Sequence, residues 1–350
     1  MYDLDELFPA SVVGSYPQPD WLVDREKLRS RPPPRSSAKD IWRVSGQFLE
    51  RAQDDATLLA IREMESTGID VVTDGEIRRE SYSNKFATAL EGMDIDNPGV
   101  STGRSGRKVE VPRVVGPIRW KGPVLLRDAE FLVQNATRST KATIPGPFTI
   151  AQQTQNEYYS DQASLAVDAA VAVNMEAKAL KSTGVDVIQL DEPYLQVAPE
   201  RAREYGIEVI NRAFEGVEGT TTVHTCFGYG YMIKDKPNGY PFLGELVDCK
   251  AKQLSIEAAQ PKLDLAVLEN VAEKEVVLGS IDLRDPSVET PRMVADRIRE
   301  ALRHVPAERL GVAPDCGMKY LDRTVAFEKL RALVQGAQLM RTEVEGSRRA

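Results

Sequence analysis

The sequence predicts an α/β protein: a single (β/α)8 TIM barrel over residues 1–350, with a loop or hairpin inserted after the second strand. Three observations lead there. Eight short apolar runs, many of them β-branched, are spaced along the chain, and most are separated by segments of helical periodicity. These runs stop at Gly, Pro or acidic residues, as strands do at turns. No break in composition divides the 350 residues, a length that suits one barrel with insertions. The competing architecture is an open doubly wound sheet. It expects a Gly-x-Gly-x-x-Gly turn after its first strand, and none is there.

The elements follow in order. Residues 11–17, Ser-Val-Val-Gly-Ser-Tyr-Pro, read as a short buried strand stopped by turn residues. Arg31-Pro32-Pro33-Pro34-Arg35 reads as a stiff surface connection. From Gly46 to Thr67, Phe48, Ala52, Leu58, Leu59, Ile61 and Met64 recur at helical spacing, and Gly68 ends that helix. Residues 69–73 form the second strand, which runs into Asp74-Gly75-Glu76. Residues 94–123 are rich in Gly, Pro and basic side chains, with β-prone runs at 108–111 and 114–118. They read as the insertion, either a solvated loop or a surface that meets an anionic substrate or partner protein.

The third strand, 142–144, ends at Pro145-Gly146-Pro147-Phe148, and an Ala-rich helix over 162–182 follows. The fourth strand, 185–190, ends in Asp191-Glu192-Pro193, and a helix covers 200–214. The fifth strand is the β-branched run 220–226, which ends in His224-Thr225-Cys226 before glycines. Strands six and seven occupy 253–257 and 275–282. A helix over 290–304 has Pro291 in its first turn, where proline is tolerated. The eighth strand, 310–313, breaks at Pro314-Asp315-Cys316-Gly317, and a last helix covers 322–341.

Composition excludes several classes. The formal net charge of −8 and a pI of about 5.2 argue against a sequence-independent nucleic-acid binder. No apolar run approaches the roughly 20 residues of a membrane helix. The acidic start, Met1 to Glu6, lacks the basic and apolar regions of a signal peptide. Three cysteines do not make a disulfide framework, and a reducing cytoplasm leaves them free for metal.

In a barrel of this kind, chemistry gathers at the C-terminal strand ends. Here those ends carry Ser15, Glu76, Asp191 with Glu192, His224 with Cys226, Glu257, Asp282 and Cys316. His224 and Cys226 lie two apart on a strand, so they project to one side. With Glu257 and Cys316 they offer one nitrogen, two sulfurs and one oxygen, a full set for tetrahedral Zn²⁺. Each has a plainer reading alone: a bonded core histidine, a buried thiol, a structural ion pair. Together they take two of three cysteines and one of two histidines. The others, Cys249 in a helix-like segment and His304 near a helix C-terminus, read as structural.

Two thiolates and a carboxylate on Zn²⁺ sum to minus one. Such a centre is a modest Lewis acid towards water, but it deprotonates a bound thiol. Alkyl transfer to sulfur is the chemistry that follows; zinc hydrolysis competes less well with a His-poor shell. Asp191 and Glu76 are placed to hold an ammonium group, and backbone N–H groups near Ser15 to hold a carboxylate. The structural alternative for Ser15 and Asp191 is N-capping of the following helices.

The chain resembles the cobalamin-independent methionine synthase family. The resemblance is carried by Val13-Gly14-Ser15, Asp74-Gly75-Glu76, Pro145-Gly146-Pro147-Phe148-Thr149, Leu190-Asp191-Glu192-Pro193, His224-Thr225-Cys226, Glu257 and Pro314-Asp315-Cys316-Gly317. It covers the catalytic C-terminal barrel of that family, without the N-terminal barrel of its long members. It implies zinc on His224, Cys226, Glu257 and Cys316, and homocysteine contacts from Ser15, Glu76 and Asp191.

Two departures stand out. Gln152-Gln153 replaces a segment with a folate-binding tryptophan, and Asp282-Leu283-Arg284 replaces an Asp-x-His setting for a catalytic histidine. Both point away from methyltetrahydrofolate polyglutamate. They point towards the short single-barrel branch, whose members accept methyl from a corrinoid or another donor. Asp191, Glu76 and Arg284 are the catalytic candidates, with Arg284 and the basic insertion facing an anionic donor or donor protein. Two further readings are kept: a zinc alkyltransferase of epoxyalkane:coenzyme M type, and a metal-free barrel like uroporphyrinogen decarboxylase.

Overall fold

The computed structural model describes residues 6–30, 36–102, 108–229, 233, 235–271 and 273–349. The acidic start, the Arg31–Arg35 connection and the basic segment 103–107 lie outside the described residues.

Among the described residues there are ten strands: β1 (Val71–Val72), β2 (Glu91–Thr102), β3 (Lys108–Arg119), β4 (Ser139–Pro145), β5 (Gln155–Asn156), β6 (Val187–Asp191), β7 (Thr220–Thr225), β8 (Gln253–Ile256), β9 (Glu275–Gly279) and β10 (Leu310–Ala313). Seven of them form one parallel sheet in the order β1-β4-β6-β7-β8-β9-β10. Long helices sit between several of these strands, as parallel pairing requires.

The expected first strand, residues 11–17, is much shorter. Only Ala10 and Ser11 bridge, to Val312 of β10 and to Val71 of β1. Gly14 and Pro17 follow at once, and the backbone turns out of the ladder there. The short segment still bonds both edges of the sheet: Ser11 N donates to Val312 O at 2.9 Å, and Val12 N donates to Val71 O at 3.3 Å.

The register separates two faces. Ile144, Ile188, Leu190, Val223, Leu254, Val276 and Leu278 lie in the large apolar core that the helices share. The other face begins with a separate small cluster of Val13, Val71, Val187, Val277 and Ala313. Moving up that face two residues at a time, it becomes polar: Gln189 and Asp191 on β6, Thr222 and His224 on β7, Gln253 and Ser255 on β8. All six are buried.

The expected helices are present with small shifts: Gly46–Ser66, Gln162–Lys181, Pro199–Ala213, Pro291–Ala301 and Arg323–Arg349. In the first of these, Phe48, Leu58 and Leu59 are exposed, contrary to the periodicity reading. The buried stripe is Ala56, Thr57, Ala60, Ile61 and Met64, a narrower face than the apolar spacing suggests.

After β1 the chain makes the hairpin β2–β3, which is antiparallel, and β5 adds to it in parallel. The buried Glu176 of the helix Gln162–Lys181 anchors the segment after the hairpin. Its carboxylate accepts from Trp120 Nε1 at 2.6 Å and from Leu125 N at 2.6 Å. No helix of the described residues is long and apolar enough to cross a membrane.

Lys141 of β4 is buried beneath the polar face, and its Nζ has no hydrogen-bond partner. Burial pulls this amine down from 10.5 to about 7, and the Asp191 charge offsets only part of that. Between those two values the unfolded chain holds a proton that the folded chain lacks, so stability rises with pH. Lys141→Met is therefore expected to be more stable than the parent at pH 7 by about 1–3 kcal/mol. The advantage should shrink towards pH 10.5, as read by urea unfolding across that range.

Candidate metal centre

His224 and Cys226 stand at the end of β7, and Cys316 stands three residues beyond β10. One ligand atom of each lies within 4.8 Å of the others, and all three residues are buried. The Cys226 and Cys316 sulfurs are 3.6 Å apart. Two thiolates on one tetrahedral zinc, at about 2.3 Å each, lie roughly 3.8 Å from one another.

The imidazole is aimed by its other nitrogen. His224 Nδ1 is 2.9 Å from Ser255 Oγ, while the buried Nε2 has no hydrogen-bond partner among the described residues. A ring that donates from Nδ1 leaves the Nε2 lone pair to a metal, which is how outer hydrogen bonds orient metal-binding histidines. The Cys316 thiol is pushed well up, first by its hydrogen bond with Cys226 and then by burial. A divalent cation supplies the charge that lets such a thiol pair ionise. The orphaned Nε2, the sulfur spacing and the soft donor set all fit zinc.

Glu257 follows β8, but its carboxylate does not join the three-residue group. Both of its oxygens lie 2.8 Å from Lys236 Nζ, and neither residue is exposed. Its backbone N donates to Tyr240 Oη at 2.7 Å. Asp315, next to Cys316, accepts from the backbone N–H groups of Ala258, Ala259 and Gln260 at 3.1, 3.0 and 2.6 Å. The strand ends that carry Glu257 and Cys316 are thus tied together.

The other candidates gather beside this group. Asp191 is the register partner of His224, and Gln189 Nε2 donates to its Oδ1 at 2.8 Å. Burial raises its carboxyl to about 7. Glu192, the next residue, faces the other way. Its oxygens accept from Phe148 N at 2.9 Å and Thr149 N at 2.8 Å, capping the helix Pro147–Gln152.

Glu76 sits in a left-handed conformation at φ 52°, where non-glycine residues are uncommon and cluster at functional sites. Its Oε1 accepts from Thr143 Oγ1 at 3.1 Å, and its Oε2 has no hydrogen-bond partner among the described residues. A Cβ at Gly14 would meet Glu76 Oε1 at 2.6 Å, so glycine is what lets the carboxylate lie there. Likewise a Cβ at Gly317 would stand 2.3 Å from Ser15 Oγ, so Ser15 lies against the turn that carries Cys316. Ser15 and Asp191 cap no helix here; both face the cluster.

Arg284 does not belong to this cluster as the structure stands. It is exposed on the loop after β9, with its backbone N bonded to Asp282 Oδ1 at 2.8 Å. His304 is apart as expected, 2.8 Å from Glu269 Oε1. Cys249 is a buried free thiol outside the group.

Four side chains were missed in the sequence. Ser255 was findable, because it lies two residues before Glu257 on the same strand. Lys236 and Tyr229 come from a Gly- and Tyr-rich loop with no periodic signal. Tyr229 is buried beside Ser15, Glu76 and Cys316. Arg79 reaches 3.9 Å from both Asp74 Oδ2 and Glu76 Oε1.

A profile of the family described as cobalamin-independent synthase, catalytic domain, matches residues 8–339. The chain belongs to this family. It is 33% identical over 340 residues to a methionine synthase of Thermococcus kodakarensis, covering 97% of this chain and 95% of the relative. It is 34% identical over 343 residues to one from Saccharolobus solfataricus, covering 97% and 96%. A B12-independent methionine synthase from Shewanella sp. W3-18-1, solved in complex with selenomethionine, superposes with a TM-score of 0.89 at 33% identity, covering 97% and 99%. Membership accounts for the motif order that the sequence displays from Gly14 to Gly317.

Ser255→Ala removes the hydrogen bond that orients the His224 ring. We expect zinc affinity to fall by about 10- to 100-fold with the fold intact, measured by competition with a chromophoric chelator.

Proposed function

We propose that this protein is a zinc-dependent homocysteine S-methyltransferase that makes methionine, built as one catalytic (β/α)8 barrel. The observation that carries the reading is the buried group of His224, Cys226 and Cys316, with the imidazole locked by Ser255. The bonds of residues 9–12 to both sheet edges support the closed barrel. Kinship with methionine synthases supports the reaction.

His224, Cys226 and Cys316 would hold the zinc, with Glu257 as the fourth donor. When bound, zinc supplies the positive charge that draws the proton from a thiol at neutral pH. The chain's own residues do the rest. Asp191 and Glu76 present buried carboxylates with lone pairs for the substrate ammonium. Ser15 and the backbone around it take the substrate carboxylate. Burial keeps water from competing with the sulfur.

The sulfur then meets the methyl carbon in line. A carbon–sulfur bond forms as the methyl leaves its donor, and the donor keeps the electron pair. Arg284, exposed on its loop, and the basic insertion bind an anionic donor or donor protein. Gln152-Gln153 and Arg284 favour a corrinoid or another donor over folate polyglutamate. A sulfonated thiol without an ammonium would leave Asp191 and Glu76 without a counterpart, which disfavours the epoxide-type reaction.

Cys316→Ala is expected to lose stoichiometric zinc and, with it, methyl transfer. Retention of both would overturn the reading. Asp191→Asn should keep its zinc but raise KM for homocysteine about tenfold or more, as loss of a charge-assisted contact does. Single-turnover transfer to homocysteine, with methylcobalamin and methyltetrahydrofolate offered separately, identifies the donor.

A further inference from the structure

Lys236 has no role in the reaction described above, yet it is one of the most constrained side chains at the site. Its ammonium and the Glu257 carboxylate are both shut off from solvent, and Nζ stands 2.8 Å from each oxygen. The same charge also faces Cys316 and Asp315. A metal at Glu257 and the Lys236 ammonium therefore need the same pair of oxygens. Two thiolates and a carboxylate carry three negative charges. Either cation, zinc or the Lys236 ammonium, offsets part of that charge at Glu257.

We infer that Lys236 competes with the metal for Glu257, so that zinc loads by displacing the Lys236 ammonium from that carboxylate and is held less tightly than by a free four-donor shell. A buried carboxylate cannot stay unpaired without a large cost. Lys236 meets that cost whenever Glu257 is not on the metal. The pairing leaves His224, Cys226 and Cys316 as the permanent grip and makes Glu257 the exchangeable donor. This inference rests on the zinc reading of the site.

Removing the amine without changing the side-chain length tests it. Zinc affinity of the purified full chain is measured by competition with a chromophoric chelator, for the parent, Lys236→Met and Lys236→Arg. Thermal melting is followed for each protein after metal stripping. We expect Lys236→Met to bind zinc at least about tenfold more tightly, because a charged hydrogen-bonded competitor is gone. Its stripped form should melt lower than the stripped parent, because Glu257 is then buried without a cation. Lys236→Arg keeps the charge and should not tighten zinc binding.

Unchanged or weaker zinc binding by Lys236→Met would overturn the inference, because it would make Lys236 a support for Glu257 and not its competitor. Lys236→Gln is read in parallel and decides the matter if the methionine variant does not fold. Failure of the parent to bind zinc at all would instead overturn the zinc reading, and the competition with it.

Discussion

The constraint on which the rest of this structure depends is the gathering of negative charge out of water at one end of one sheet. Asp74, Glu76, Asp191, Glu192, Glu257 and Asp315 are all buried there, with the thiols of Cys226 and Cys316 among them. Carboxylates in such numbers are tolerated only when paired or hydrogen-bonded. Three devices share the task. Arg79, Lys319 and Lys236 supply buried cations. Backbone N–H groups satisfy Glu192 and Asp315. Among the described residues, Glu76 Oε2, His224 Nε2, Ser15 Oγ and Asp74 Oδ2 are left without a hydrogen-bond partner. A metal and a charged substrate are the natural partners for that remainder.

The carboxylates divide by this test into structural and chemical ones. Glu192 and Asp315 have their oxygens filled by backbone donors, so they hold loops. Burial raises the Glu192 carboxyl to about 8 and also raises Asp315, the helix and loop N–H groups notwithstanding. Asp191 and Glu76 are only partly satisfied, and each leans on a neighbour that orients it: Gln189 for one and Thr143 for the other. The strained backbone at Glu76 belongs with this group. A left-handed φ at a glutamate persists because Asp74 Oδ1 accepts from its N–H at 3.0 Å and the Gly14 backbone leaves room for its carboxylate.

The same division explains how the site is braced. Ser15 lies on the Cys316 turn, Asp315 grips the loop after Glu257, and Asp191 stands in register with His224. The segments that carry Cys316, Glu257 and His224 are therefore each supported from a strand other than their own. Neighbouring strands in a parallel sheet start far apart in sequence, so this bracing links the two ends of the chain. Residues 9–15 and 312–318 meet through Val312 N bonding Pro9 O at 3.0 Å and Met318 N bonding Ser15 O at 2.8 Å.

The alternation of strands and helices is written in the local pattern of residues, and with it the identity of the polar strand ends. This holds because period-two alternation places His224 with Cys226, and because parallel strands all deliver their last residues to one side. His224, Cys226 and Cys316 were legible for that reason, as were Asp191 and Glu76. Exposure of Phe48, Leu58 and Leu59 was not, because helical spacing says which residues share a face but not how wide the buried stripe is.

What each strand end touches is fixed by packing between distant parts of the chain. The orientation of the His224 ring depends on Ser255 from the next strand, the outward turn of Glu192 depends on a helix N-terminus, and the hold on Glu257 depends on Lys236 from a loop. These are contacts at long sequence separation between groups of opposite charge or polarity. No local periodicity encodes them, because they are set by the packing that first removes the groups from water.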